Sequence, residues 1–144
     1  MEYEIIQGSL NDLPKIVELN KKIFPGMYES EPYSLEQYNS KLEYKKPLIY
    51  VVKLTREIVG NSVAFRKEDS LYLWILGVSK DHRNKKIASQ LFDLLEESAR
   101  GLGLNSITTK VYPISREMLD LVKKRGYEIT KTDNNEAIYF KFNL

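Results

Sequence analysis

The sequence predicts a single α/β domain spanning residues 1–144, built on a mixed sheet with helices on both faces. Three observations point there. Strand-like and helix-like segments follow one another along the chain in an order that suggests a mixed sheet covered on both sides. The run LYLWILGV, from Leu71 to Val78, has no charge and keeps apolar groups on both alternating faces, as a central covered strand does. The chain's 144 residues are enough for one domain with one substantial core, and they contain no internal repeat, low-complexity stretch or linker.

Taken in order, the first helix is expected from about Asn11 to Phe24. Ile16, Leu19, Ile23 and Leu13 would face inward, Ser9 or Asn11 would cap it, and Pro25 would stop it. PGMYESEPY follows, too rich in Pro and Gly for regular structure. A second helix is expected from Ser34 to about Tyr44, since Ser34 and Gln37 match a capping box. After the strand at Leu71, a helix begins at Ile87. Leu91, Leu94, Leu95 and Leu102 recur on its buried face, with Asp93, Glu96, Glu97 and Arg100 on the other. Gly101 and Gly103 bracket its end, where a glycine cap turns the chain back.

Between that strand and that helix lie Lys80, His82, Arg83, Lys85 and Lys86 against a single acid, Asp81. Cations in the first turn of a helix oppose its dipole unless an anion is bound there. A basic loop opening a helix presents free amides to such an anion, a phosphate above all. The alternative is a solvated basic loop, and on these residues alone the two stand level.

Composition sets broader bounds. The formal net charge of +2 gives no general affinity for polyanions. There is no cysteine, which excludes disulfide and thiol chemistry, and the lone histidine argues against a protein-ligated transition metal. No signal peptide or membrane span is visible, so the expected setting is the cytoplasm, with no membrane partner.

The order V-x-x-x-x-R-x-x-x-x-A after an apolar strand, given by Val78, Arg83 and Ala88, resembles the acyl-CoA-binding motif of the GNAT superfamily of N-acyltransferases. That pattern is Gln or Arg, two residues, Gly, one residue, then Gly or Ala. Lys86 stands where its glycine falls, and Asn84 where glycine is common. The resemblance runs the length of the chain. MEYEIIQGSLNDLPKIVELNKKIF is similar to the family's opening strand, turn and helix, with Asp12-Leu13. LIYVVKL and IVGNSVAFR resemble its second and third strands, joined by a turn at Thr55 to Glu57. SITTKV, a helix from about Ser115 to Lys124, Arg125-Gly126-Tyr127, a turn at Asp133 to Asn135 and AIYFKFNL resemble its close. It implies a three-layer fold with a mostly antiparallel sheet of six to seven strands and about four helices.

The resemblance further implies acetyl-CoA as cofactor. Main chain at Leu76, Gly77 and Val78 would hold the pantetheine arm and polarise the carbonyl. Arg83, Asn84, Lys85, Lys86, Ile87, Ala88 and Ser89 would cradle the pyrophosphate, and Ser115 would assist from the next helix. Lysine at 86 costs energy if the backbone there takes positive φ, and adds useful charge if the residue is already helical; Lys85 and Lys86 lie where the ligand is most negative, which favours the helical case. His82 would flank the site rather than act as a base.

The family's usual proton-transfer groups are missing. Its tyrosine four residues before the closing glycine is Val122 here, its asparagine is Ser115, and the fourth strand holds no carboxylate. Tyr72 and Tyr112 are the candidate substitutes, each weighed against a packing or rim role. Met27, Tyr28, Glu29 and Tyr33 would line an acceptor pocket, with Glu29 and Glu31 able to attract a cationic amine. The leading expectation is an acetyltransferase acting on a small-molecule or protein amine. The alternative is a CoA-binding or ligand-sensing domain that has lost catalysis. A nucleic-acid partner is disfavoured by the small net charge, although Lys85-Lys86 and Lys123-Lys124-Arg125 are basic clusters. The last strand, with Tyr139, Phe140 and Phe142, is either core or the edge of a homodimer.

Overall fold

The computed structural model describes residues 2–24, 33–133 and 137–144. In chain order it contains β1 (Tyr3–Gln7), α1 (Leu13–Ile23), α2 (Leu35–Leu42), β2 (Leu48–Leu54), β3 (Glu57–Lys67), β4 (Ser70–Val78), α3 (Ile87–Gly101), β5 (Ser106–Val111), α4 (Arg116–Lys124), β6 (Glu128–Thr132) and β7 (Ile138–Asn143). The seven strands form one mixed sheet in the order β1-β2-β3-β4-β5-β7-β6. Every neighbouring pair is antiparallel except β4 and β5, which run parallel. The expected α/β architecture is the observed one.

Local chemistry explains the boundaries. Ser9 caps a 3-10 turn at Leu10–Asp12 through a reciprocal box with Asp12, so α1 begins only at Leu13. Its buried face is Leu13, Ile16, Val17 and Asn20; Leu19 and Ile23, expected inward, are half-buried. Ser34 and Gln37 close the anticipated box on α2, which stops at Leu42 as Glu43 turns away from helical geometry at ψ 132° and Tyr44 follows at a positive φ of 63°. Gly103, at φ 74°, ends α3 as expected, but Leu102 at its end is exposed. Expected stop residue Pro25, and Asn134 and Asn135 of the last turn, lie outside the described residues.

Two apolar clusters sandwich the sheet. Leu13, Ile16 and Val17 of α1, with Tyr38 and Leu42 of α2, cover Ile49, Val51, Val63 and Phe65. On the opposite face Ile87, Leu91, Phe92 and Leu95 of α3, with Val122 of α4, cover Leu71, Leu73, Ile107 and Phe140. The last strand is therefore core: β7 lies between β5 and β6 with Phe140 buried, which removes it as a dimer edge. The edge on that side of the sheet is β6, whose five residues are all exposed and show no apolar alternation.

Candidate functional site

A change of register in β4 opens the site. Ala64 of β3 lies opposite Leu73 and Val63 opposite Ile75, so Trp74 is an extra residue, a bulge, in β4. Leu71 and Leu73 belong to the α3-side core whereas Ile75 belongs to the α1-side core, so the bulge exchanges the faces of the strand. Pairing with parallel β5 stops at the same point: the last partners are Leu73 and Thr109, locked by Thr109 Oγ1 donating to the Leu73 carbonyl at 3.0 Å. Beyond them the strands part, leaving a groove of about 1270 Å³ between them.

Main chain lines its floor. Ser79 N–H donates to Val59 O at 2.8 Å, across from β3. Antiparallel strands alternate the side on which they offer their hydrogen-bonding groups, so Leu76 and Val78 direct theirs away from β3, into the groove. Arg83 Nε already donates to the Val78 carbonyl at 3.3 Å, which ties the basic loop back onto the strand end. Gly77 answers a packing need: a Cβ there would meet Asn20 Oδ1 and Phe24 Cζ, both at 3.1 Å, so glycine lets α1 approach β4. Asn20 is itself fixed by reciprocal bonds with Asn61 at 2.8 and 3.2 Å and by donating to Tyr38 OH at 2.9 Å.

At the far end of the groove α3 begins. The N–H groups of Ile87, Ala88 and Ser89 lie in its first turn, where a helix supplies them no acceptor, and no side chain caps them. Lys86 is the N-cap residue, but at φ 63° and ψ 18° it is left-handed rather than helical. The expectation of a helical Lys86 fails: the chain keeps the backbone shape for which the motif uses glycine and imposes it on a lysine. Asn84 is left-handed too, at φ 62°, which its short amide tolerates. Arg83, Asn84, Lys86, Ile87, Ala88, Ser89 and Ser115 line the groove, and Lys85 does not. His82, expected to flank the site, lines the groove as well and shares a 3.0 Å hydrogen bond with Tyr3 OH of β1 through Nδ1.

Ser89 is positioned by a network that periodicity misassigned. Glu96, expected on the exposed face of α3, is buried. It accepts from Arg125 Nε and Nη2 at 3.3 and 2.9 Å and from Tyr127 OH at 2.8 Å. Arg125 Nη1 then donates to Ser89 Oγ at 2.9 Å, leaving the hydroxyl hydrogen for another acceptor. Burial, then the neighbouring Glu96 charge, pushes the Tyr127 hydroxyl far above its ordinary range, so it remains a donor.

Tyr72 and Tyr112 both line the open end of the fork, with Lys110 between them. Burial raises the Tyr72 pKa while the Lys110 charge opposes it. Lys110 is held in its charged form: burial works against it, but the hydrogen bond to Tyr112 and the three tyrosines Tyr72, Tyr112 and Tyr139 prevail. Tyr33 lines the same end, its ring 5.5 Å from Trp74. Met27, Tyr28, Glu29 and Glu31 lie outside the described residues. Val122 is wholly buried in the α3-side core, so nothing at that position faces the groove. The sequence reading missed Trp74, Lys41, Tyr38 and Lys110. In LYLWILGV a bulge residue looks like core, whereas Lys110, the sole charge in SITTKV, was a usable signal.

A groove of split parallel strands ends at an uncapped, cation-flanked helix N-terminus, an arrangement that presents free amides to an anion. The sequence profile described as the acetyltransferase (GNAT) family matches residues 13–127, and the chain belongs to that family. Among solved structures it is similar to the PaiA N-acetyltransferase of Thermoplasma acidophilum in complex with coenzyme A, with TM-score 0.83 and 18% identity over 100% of both chains. The ribosomal-protein-S18-alanine N-acetyltransferase of Escherichia coli aligns with TM-score 0.82 and 13% identity over 99% of this chain and 94% of that one. Ard1 of Thermoplasma volcanium aligns with TM-score 0.81 and 16% identity over 100% and 99%. No curated sequence matches. At these identities the likeness establishes the fold, and the profile establishes the family.

Proposed function

We propose that the protein is an N-acetyltransferase that moves an acetyl group from acetyl-CoA to a primary amine. The observation that carries this is the fork itself: β4 separates from β5 at a bulge, and its free main chain leads to the uncapped start of α3. The residues present suit CoA. Leu76 and Val78 would hold an amide-bearing arm by main chain, and the amides of Ile87 to Ser89 with Lys86 and the Ser89 hydroxyl would hold pyrophosphate. When bound, the thioester supplies an activated acyl carbon that gains a C–N bond from the amine as its C–S bond breaks, the nitrogen's proton passing to the sulfur. Main-chain positioning supplies a large share of the acceleration in such a reaction. Tyr72, whose phenol burial keeps protonated, is the groove-lining group suited to hold a proton near the fork.

Calorimetric titration with acetyl-CoA at two salt concentrations, followed by amine-dependent thiol release, tests the proposal. Micromolar binding that weakens with salt, together with turnover, is the expected result; absence of binding would refute it. A second reading has one observation in its favour, the wholly buried Val122 in place of the family's tyrosine. Binding without turnover of any amine would establish that reading, a CoA-responsive domain.

A further inference from the structure

The groove has a second cationic end that the CoA-binding loop does not use. Lys110 stands on β5 directly after its last pairing with β4, across the fork from Trp74. On the other side Lys41 of α2 places its ammonium 6.0 Å from the Trp74 ring centroid. From Trp74 to Val78 is four residues of strand, about 13 Å, longer than the screening length of roughly 8 Å at physiological salt. These two lysines therefore do not serve an anion at the start of α3. Among the described residues the salt bridges are the two made by Arg125, and Glu117, on α4, is the sole acid lining the groove. Lys110 lies instead among phenol rings, 5.4 Å from the Tyr112 centroid and 6.0 Å from that of Tyr139, which orient an ammonium without cancelling its charge.

Between the two lysines lies a ring-walled surface. Trp74 is 5.0 Å from Tyr38 and 5.5 Å from Tyr33, centroid to centroid, and all three line the groove. Resting on the acetyltransferase reading above, we infer that the acceptor is an amine that carries its own carboxylate on a planar or aromatic body. The carboxylate pairs with Lys110 and the body lies against Trp74 and Tyr33. A polyamine is the wrong complement: it would bring further cations to a wall already holding Lys41 and Lys110, with no described acid beside them. The Trp74 face that would attract a cation through its π system is already approached by Lys41.

Trp74 is the chain's single tryptophan, so its fluorescence reports this wall alone. The test titrates the CoA-saturated protein with N-acetylphenylalanine, N-acetylphenylalaninamide and spermidine. The acid should bind at least about tenfold more tightly than the amide, the worth of one charge-assisted contact. Lys110→Gln should bring the two within about twofold while leaving CoA affinity unchanged, and Lys110→Arg should restore the preference. Equal binding of acid and amide, tighter binding of spermidine, no binding of any probe, or a preference that survives Lys110→Gln would overturn the inference. Should calorimetry show no CoA binding while the protein alone still prefers the acid, the transferase reading falls and the anion site stands.

Discussion

Lys86→Gly should make the protein more stable and a poorer binder of acetyl-CoA. At φ 63° and ψ 18°, Lys86 holds an L-residue in the left-handed region, which costs roughly 1–2 kcal/mol. Glycine removes that cost but gives back roughly 0.5–1 kcal/mol through the greater freedom of the unfolded chain. Lys86 is also the N-cap of α3 with no capping bond from its side chain, so nothing local is lost, and glycine caps better than alanine. The two ranges leave a net gain of about 0–1.5 kcal/mol, whose midpoint corresponds to roughly 1.5–3 °C in Tm for a domain of this size. Lys86→Ala is the control, since it removes the same charge yet leaves the Cβ in its strained place; it should be no more stable than the parent. Urea unfolding of all three proteins with unchanged m-value separates the cases. A glycine variant no more stable than the alanine variant would refute the reasoning. Both should bind acetyl-CoA more weakly, because stability is given up here to keep a cation beside the helix start.

Charge reversal should discriminate the adjacent lysines: Lys86→Glu weakens acetyl-CoA binding by about tenfold or more at low salt, whereas Lys85→Glu, outside the groove lining, costs under about threefold by calorimetry. Val122→Tyr should not restore a proton donor. It forces a larger side chain into a wholly buried site, with a loss of about 1–3 kcal/mol in thermal unfolding and no gain in thiol release; a stable, faster variant would place that position in the groove after all.

Much of the scaffold was legible because it rests on local rules. The uncharged run placed β4 to within one residue, the apolar repeat started α3 at Ile87, and Ser34 with Gln37 announced α2. What stayed hidden depends on distant partners. Glu96 sits among acids that face solvent, and only the return of the chain through Arg125 and Tyr127 makes its burial tolerable. Strand β6 carries no apolar alternation because its five residues are all exposed. The left-handed Lys86 was misjudged because charge and backbone shape gave opposite advice, and the shape prevailed. Within the site, Leu76 to Val78 and the anticipated loop residues other than Lys85 line one groove, whereas the Trp74–Lys110 juxtaposition needed the bulge, which is a property of pairing with β3 rather than of β4 alone.

The missing carboxylate on β4 and the lysines at the fork, which form no salt bridge among the described residues, bear on one another. Loss of a general base costs about 10²–10⁴-fold when the amine must be stripped of a proton within the site. That cost shrinks if the site disfavours the ammonium form from the start. Lys110, held charged, and Lys41 face the wall where the proposed acceptor would lie, and nearby cations lower an amine's pKa while its carboxylate supplies the attraction. A carboxylate base placed on β4 would work against this arrangement by pairing with Lys110 and reclaiming its charge. An acceptor that brings its own anion and leaves its proton in solvent suits a fork lined by phenols and lysines, and Tyr72, kept protonated by burial, is the group proposed to meet the departing sulfur.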